Sequence, residues 1–440
     1  MKVVVVGGSA AGMSFAAKYK RNQPSDDVIV LDRRDYISFG ACGLPYFAGG
    51  MFDDTERMIS RTPEQANQSG LDVRIETEML ALDRQNKCIT LRKDNQVSEL
   101  FYDVLVIATG ATPIIPFFGE FKPDNVFTLT SLSDGLALKT ALSDPENQRI
   151  CVIGGGFIGL EVFDAAHGLG KQVTIIEREH HLMSKQFSPE MIEEVESAIR
   201  ESGADLKTGC RVTTIRDGEQ GGYLIMTDQG EIQADVVVLS LGFQPNTGAF
   251  NLAKAPNGAL LVDEFGTTDD PHILAVGDCA VVHHLALGQS VYVPLATTAN
   301  KQARMIADKL AGKDTYMAGF LGSSCLKVLD YELACTGISE RLAQEHHLKV
   351  KASSISDKNQ TDYYPGQEDI KIKLVYHPDS HVLLGGEIVG KKGAVGRINA
   401  LAVAITAKMT TQQLGYLDFC YAPPFARTWD ALNVAGNVAK

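Results

Sequence analysis

The residues best suited to covalent chemistry sit in one short run, Ile37-Ser38-Phe39-Gly40-Ala41-Cys42-Gly43-Leu44-Pro45-Tyr46. Glycines on both sides of a cysteine let backbone or ligand approach the sulfur closely. If Gly43 and Leu44 open a helix, with Pro45 tolerated in its first turn, the N-terminal dipole lowers the thiol pKa. The thiolate could then attack a disulfide or be oxidised to a sulfenic acid. A buried small hydrophobe fits the local pattern equally well. No second cysteine follows between Gly43 and Asp54, so a dithiol pair is not built here. A reactive Cys42 works alone in its chain, as a sulfenic acid or as a mixed disulfide with a substrate thiol.

A redox sulfur needs an electron source, and two glycine-rich turns supply candidates. Lys2–Val6 reads as an apolar strand, Gly7–Gly12 as a turn, and a small-residue helix runs to about Arg21. The next strand, Val28–Leu31, ends at Asp32, whose carboxylate suits a ribose diol. Ser9 stands at the third fingerprint position. The second unit is complete: strand Arg149–Ile153, Gly154-Gly155-Gly156-Phe157-Ile158-Gly159, a helix from Leu160, and strand Val173–Ile176 closing on Glu177. Two such units with their acids imply two dinucleotides and electron transfer between them. The first is expected to hold FAD and the second a nicotinamide cofactor. Glu177 accepts from a ribose diol and repels a 2′-phosphate, which favours NADH, although Arg178 offers a phosphate contact to NADPH. Asp278, after Val276-Gly277, either caps a turn or binds the ribityl chain. Glu161 either lies on a helix surface or faces the nicotinamide.

The elements that must position these groups form an α/β chain with two Rossmann-like units and a third region. Strands Tyr102–Ala108 and Asp235–Leu241 end in Thr109-Gly110 and Gly242, where open α/β sheets bind ligands. Residues 1–110 and 266–315 are expected to form the FAD-binding domain, and 149–265 an inserted NAD(P)H-binding domain. Pro113, Pro116 and Pro123 mark the crossing. Asp314–Gly322 reads as a linker. Residues 323–440 read as an α+β domain, with strands in Cys325–Thr336, Ile370–Tyr376 and Val382–Val389 and a helix over Leu401–Met409. The net charge of -13 over 440 residues disfavours nucleic acid and anionic membranes as partners. No run approaches the roughly 20 apolar residues of a membrane span. The N-terminus begins directly on a strand, and the eight scattered cysteines form no CxxC pair. The expectation is a cytoplasmic protein with free thiols and no metal site.

Nine stretches together resemble the single-cysteine branch of the pyridine nucleotide-disulfide oxidoreductases, and within it the coenzyme A disulfide reductases. They are GGSAAGMS at 7–14, SFGACGLPY at 38–46, RTPEQ at 61–65, ATGATP at 108–113, GGGFIGLE at 154–161, AVGDCA at 275–280, PLATTANKQAR at 294–304, YYPG at 363–366 and YAPPF at 421–425. The resemblance implies FAD, NADH or NADPH, coenzyme A as substrate, and a homodimer joined through the C-terminal domain. It places the redox cysteine at Cys42, flavin contacts at Gly7, Gly12, Asp32 and Asp278, and the nicotinamide-cofactor turn at Gly154, Gly156 and Gly159. Thr109, Gly110, Ala296, Glu161 and Glu177 are further candidate cofactor contacts. It brings Tyr363 or Tyr364, and Tyr421, from the partner chain towards the cysteine. It puts coenzyme A near Lys18, Arg21 and Ser38. Three positions depart from family patterns. Ala10 stands where oxidases and peroxidases of this branch carry a histidine, which argues against peroxide reduction through a Cys42 sulfenic acid. Ala41 replaces an asparagine before the cysteine, and Gln360-Thr361-Asp362 lacks a histidine before the tyrosines. Persulfide or polysulfide reduction therefore stays open beside disulfide reduction. A flavoprotein scaffold without activity would leave Cys42 and both fingerprints unused.

Overall fold

A computed structural model describes residues 1–219, 221–316 and 319–440. Met317 and Ala318, within the expected linker, lie outside the described residues. Three five-stranded sheets organise the chain. The first is parallel, in the order Ile273–Ala275, Val104–Ile107, Lys2–Val6, Asp27–Leu31, Asp72–Arg74. Its central strand pairs Val3 with both Val28 and Val104, and Val6 with both Leu31 and Ile107. One face of this sheet packs on helices and the other on the Cys88–Lys93 strand and loop residues such as Phe250 and Leu260, and burial on both faces is why these strands are runs of valine and isoleucine rather than alternating patterns. Helices Ala10–Asn22 and Ala296–Leu310 pack side by side against this sheet.

The second sheet repeats the design, in the order Asp205–Lys207, Gln172–Ile176, Arg149–Ile153, Val236–Leu239, Val126–Phe127. Its edge strand Val126–Phe127 comes from the crossing segment, and Ala111–Pro113 pairs with Phe243–Pro245. In sequence the crossing is marked only by its prolines. Each sheet is accompanied by a three-stranded antiparallel meander, Glu78–Asp83/Cys88–Lys93/Gln96–Phe101 and Val212–Asp217/Tyr223–Thr227/Gly230–Ala234. These were not foreseen, because their exposed strands carry weak apolar alternation.

The third sheet is antiparallel, in the order Ser324–Val328, Tyr331–Gly337, Leu383–Gly390, Asp369–Tyr376, Lys351–Lys358. The expected run Cys325–Thr336 is thus two strands joined by a hairpin. The helix expected at Leu401–Met409 instead spans Ala394–Thr406. Its N-cap Gly393 has φ +88°, a left-handed turn where glycine is favoured, and Met409 lies past the helix end and the Ala407–Lys408 turn. The mixed α/β architecture agrees with the fold class read from sequence. Among the described residues no helix is long and apolar enough to cross a membrane.

Candidate active site

Both glycine turns are built alike. Gly7 and Gly154 each have φ +109°, and a Cβ there would lie 2.1 Å from the Ala108 carbonyl oxygen and 2.2 Å from that of Ser240. At Gly12 and Gly159 a Cβ would lie 1.8 Å and 2.0 Å from the carbonyl oxygens of Gly7 and Gly154. These glycines let the following helix start against the strand end. At Gly156 a Cβ would meet nothing within 4 Å, so its missing side chain leaves open space beside the turn. The acids are matched as well. Gly8 N donates to Asp32 Oδ2 at 2.7 Å, and Gly155 N donates to Glu177 Oε2 at 2.7 Å. Arg34 additionally grips Asp32, with Nη2 2.8 Å from Oδ2.

A single cavity of about 2990 Å³ joins the two turns and is lined by Gly7, Asp32, Cys42, Thr109, Gly110, Gly154, Gly156, Glu161, Glu177, Asp278 and Ala296. Residues separated by more than two hundred positions meet there because both parallel sheets present their C-terminal strand ends to it. Asp278 is half-buried, and its carboxyl is pushed up to about 6 by burial alone. None of the described residues donates a hydrogen bond to this carboxylate; its backbone oxygen accepts from Tyr292 at 3.1 Å. A desolvated acceptor of this kind suits the hydroxyls of a ribityl chain. The two turns, the two acids and Asp278 therefore fit one flavin and one nicotinamide dinucleotide.

Cys42 opens on the same cavity, within a tight turn Ala41–Gly43 that leads into the one-turn helix Leu44–Ala48. The expected lowering of its pKa is not what the structure gives. The thiol is exposed towards the cavity yet walled by protein elsewhere. Burial pushes its pKa above the ordinary thiol value, and the charges of Glu161 and Asp278 add to that, against a smaller backbone contribution. Five helical residues supply too weak a dipole to offset two carboxylates. Glu161 is itself pushed up to about 7 by burial, and accepts from Tyr46 Oη at 3.2 Å. It is a cavity residue rather than a helix-surface one. Removing its charge should therefore release the thiol. Glu161→Gln is expected to speed alkylation of Cys42 by iodoacetamide at pH 8 by about threefold, and an unchanged rate would show that the two groups do not interact.

In its immediate stretch of sequence Cys42 stands alone. The fold adds Cys325 and Cys335 to the same cavity wall, although all eight cysteines are free. Cys335 is held by Ser324 Oγ at 3.2 Å.

The candidate substrate residues divide. Arg21 and Ser38 line the cavity. Lys18 does not, because its ammonium is paired with Asp308 Oδ1 at 3.1 Å. Among the other arginines that line the cavity, Arg61 and Arg304 were missed as candidate substrate residues. Ser60 N bonds Ser38 O at 3.1 Å, which sets Arg61 beside Ser38. Ser14 bonds Asn300 across the two packed helices. Arg21 is seven residues on from Ser14, and Arg304 four on from Asn300, so each shares a helix face with that contact. The usable signal was this helical spacing within two segments already singled out.

Tyr363 and Tyr421 lie elsewhere, joined Oη to Oη at 2.6 Å. Tyr363 is 70% exposed, and Phe425 beside them is 72% exposed. Neither these tyrosines nor Tyr364 lines the cavity of their own chain.

A thiol set between two dinucleotide turns on an α/β scaffold defines a class, the two-nucleotide oxidoreductases that move electrons between a nicotinamide and sulfur. Residues 1–303 match the pyridine nucleotide-disulphide oxidoreductase family, and residues 323–432 match its dimerisation domain. The chain belongs to this family. It is 32% identical over 445 residues to an NAD(P)H coenzyme A polysulfide/persulfide reductase of Pyrococcus horikoshii, covering 100% of this chain and 98% of the relative. It is 28% identical over 447 residues to a coenzyme A disulfide reductase of Staphylococcus aureus, covering 100% of both. The structure of a water-forming NADH oxidase from Lactobacillus brevis bound to NADH superposes with a TM-score of 0.95 at 31% identity, covering 100% of this chain and 98% of the other. The protein is thus an NAD(P)H-dependent oxidoreductase of the disulfide and persulfide type, using FAD.

Proposed function

We propose that the enzyme reduces coenzyme A disulfide to two coenzyme A thiols through a Cys42–S–S–CoA mixed disulfide. The observation that carries this reading is Cys42 opening on a cavity whose lining also includes Arg21, Ser38, Arg61 and Arg304, with Arg61 set beside Ser38 by the Ser60–Ser38 backbone bond. A neutral or small oxidant needs no such bank of cations, whereas a coenzyme A pyrophosphate and 3′-phosphate do. The coenzyme A named for the Pyrococcus and Staphylococcus relatives supports the same choice.

In the first half-reaction the Cys42 thiolate attacks one sulfur of the disulfide, forming the mixed disulfide and expelling one coenzyme A thiolate, which takes a proton. In the second, two electrons and a proton cleave the mixed disulfide, restoring the Cys42 thiolate and freeing the second thiol. Bound FAD, kept reduced at the expense of the nicotinamide cofactor, would be the source of those electrons. Asp32, Asp278 and the Gly7 turn would hold it, while Glu177 and the Gly154–Gly159 turn would hold the nicotinamide cofactor. With Glu177 at the ribose position and Arg178 turned to Glu179 at 3.3 Å, NADH is favoured over NADPH. Glu161 and Tyr46 hold a proton beside the sulfur, with Glu161 near neutrality at about 7. In a homodimer, the exposed pair of Tyr363 and Tyr421, together with Tyr364, would reach the Cys42 cavity of the other copy and donate to the leaving thiolate.

Parallel assays with NADH test the substrate. Coenzyme A disulfide is expected to support turnover well above glutathione disulfide, coenzyme A persulfide or oxygen. Faster oxygen consumption would assign a Cys42 sulfenic acid and an oxidase, and faster sulfide release from the persulfide would assign a persulfide reductase. The arginines supply a second test. Arg61→Ala and Arg304→Ala are each expected to raise the KM for coenzyme A disulfide about tenfold with the KM for NADH unchanged, the effect of losing one charge-assisted contact. Unchanged values for both substrates would remove the arginines from the site.

A further inference from the structure

The segment from Glu177 to Glu190 leaves the second sheet, lines the cavity through Glu177, Arg178, Met183, Ser184 and Gln186, and enters helix Pro189–Glu201. Its own unit fixes its start, with Glu179 N donating to Glu177 Oε1 at 2.8 Å and Met183 N to Gly155 O at 3.1 Å. Met183 has φ +52°, an uncommon conformation for a methionine that its neighbours must hold in place.

The rest of the segment is gripped by the C-terminal domain. Arg341 Nη1 lies 3.3 Å from Ser184 Oγ, 3.4 Å from Ser184 O and 3.6 Å from Glu179 Oε2. Ser188 N donates to Glu387 Oε2 at 2.7 Å, and Ser188 Oγ donates to Glu387 Oε1 at 2.9 Å. Lys373 Nζ donates to Ser188 Oγ at 2.8 Å and to Glu190 Oε1 at 2.5 Å, and pairs with Glu340. Ser188 is the N-cap residue of its helix, yet its hydroxyl makes no capping bond. Serine normally caps there. Here the hydroxyl is spent on another domain.

Lys373 and Glu387, register partners on adjacent strands, are 4% and 1% exposed. Burying both charges contributes little net stability relative to an apolar pair, so stability is a poor reason for them. What they do provide is a directional hold on one segment.

We propose that Glu387 and Arg341 are positioning residues for the nicotinamide cofactor: the C-terminal domain clasps the Glu177–Glu190 segment and keeps its ribose-facing wall in register. The inference rests on the reading that the second unit binds that cofactor. A clasp acts on binding geometry, where small misplacements are costly, and not on the sulfur chemistry.

The test is rapid-mixing reduction of the FAD-loaded enzyme by NADH, following flavin absorbance. In Glu387→Gln and in Arg341→Ala, the NADH concentration giving half-maximal rate is expected to rise about tenfold, while the limiting rate, FAD content and KM for the disulfide stay within about twofold. Arg341 is exposed, so its variant keeps the test available should Glu387→Gln fail to fold. Unchanged half-saturation in the folded variants, or FAD content and limiting rate falling together, would overturn the clasp. Glu177→Ala separates the two layers. If it leaves half-saturation unchanged, the placement of the cofactor is wrong. If it raises half-saturation while the clasp variants do not, only the clasp is wrong.

Discussion

Cys42→Ser is expected to lower NADH-dependent disulfide turnover by about 10³-fold or more, the scale on which a covalent nucleophile is lost. The same variant is expected to keep its FAD and to bleach it with NADH at an undiminished rate. Cys42 takes no part in either glycine turn, and its neighbours Leu44 and Phe47 anchor the loop in the core whatever stands at position 42. A serine hydroxyl preserves the volume and removes the redox chemistry. The contrast between intact flavin reduction and lost turnover places the defect after hydride transfer. If turnover survived at more than about a tenth, a different sulfur would have to serve, and Cys325 on the same cavity wall would be the first to replace.

The second large effect separates two glycines of one motif. Gly156→Val is expected to fold, retain FAD and raise the KM for NADH by about 100-fold, because its new side chain enters space that no protein atom occupies within 4 Å. Gly159→Val is expected to lose soluble protein or its thermal transition, because the new Cβ would fall 2.0 Å from the Gly154 carbonyl oxygen. Thermal melts beside NADH titrations distinguish them. A folded Gly156→Val enzyme with unaltered KM would mean that the cofactor does not lie on this turn.

These contrasts also show what a chain alone makes legible. The two fingerprints were readable because a parallel strand buried on both faces is an unbroken apolar run, and because close helix–strand approach admits only glycine at Gly7, Gly12, Gly154 and Gly159. The meanders and the Val126–Phe127 edge strand were not, since short or exposed strands carry little alternation. At position 42 the local pattern suggested a candidate nucleophile but not its electrostatics. The local sequence held a helix start, whereas the opposing charges of Glu161 and Asp278 come from 119 and 236 residues further along the chain. The pairing of Lys18 was hidden for a similar reason, because its partner Asp308 belongs to a helix that only the fold brings alongside. Cys325 and the Lys373–Glu387 pair likewise acquire meaning only from long-range packing.

The most direct test of the central claim is mass analysis of peptides from enzyme treated with coenzyme A disulfide, before and after NADH. One coenzyme A is expected on the Cys42 peptide, removed by NADH with release of a free thiol. Coenzyme A found only on Cys325, Cys335 or another cysteine, or none retained on Cys42 under any oxidising condition, would contradict it.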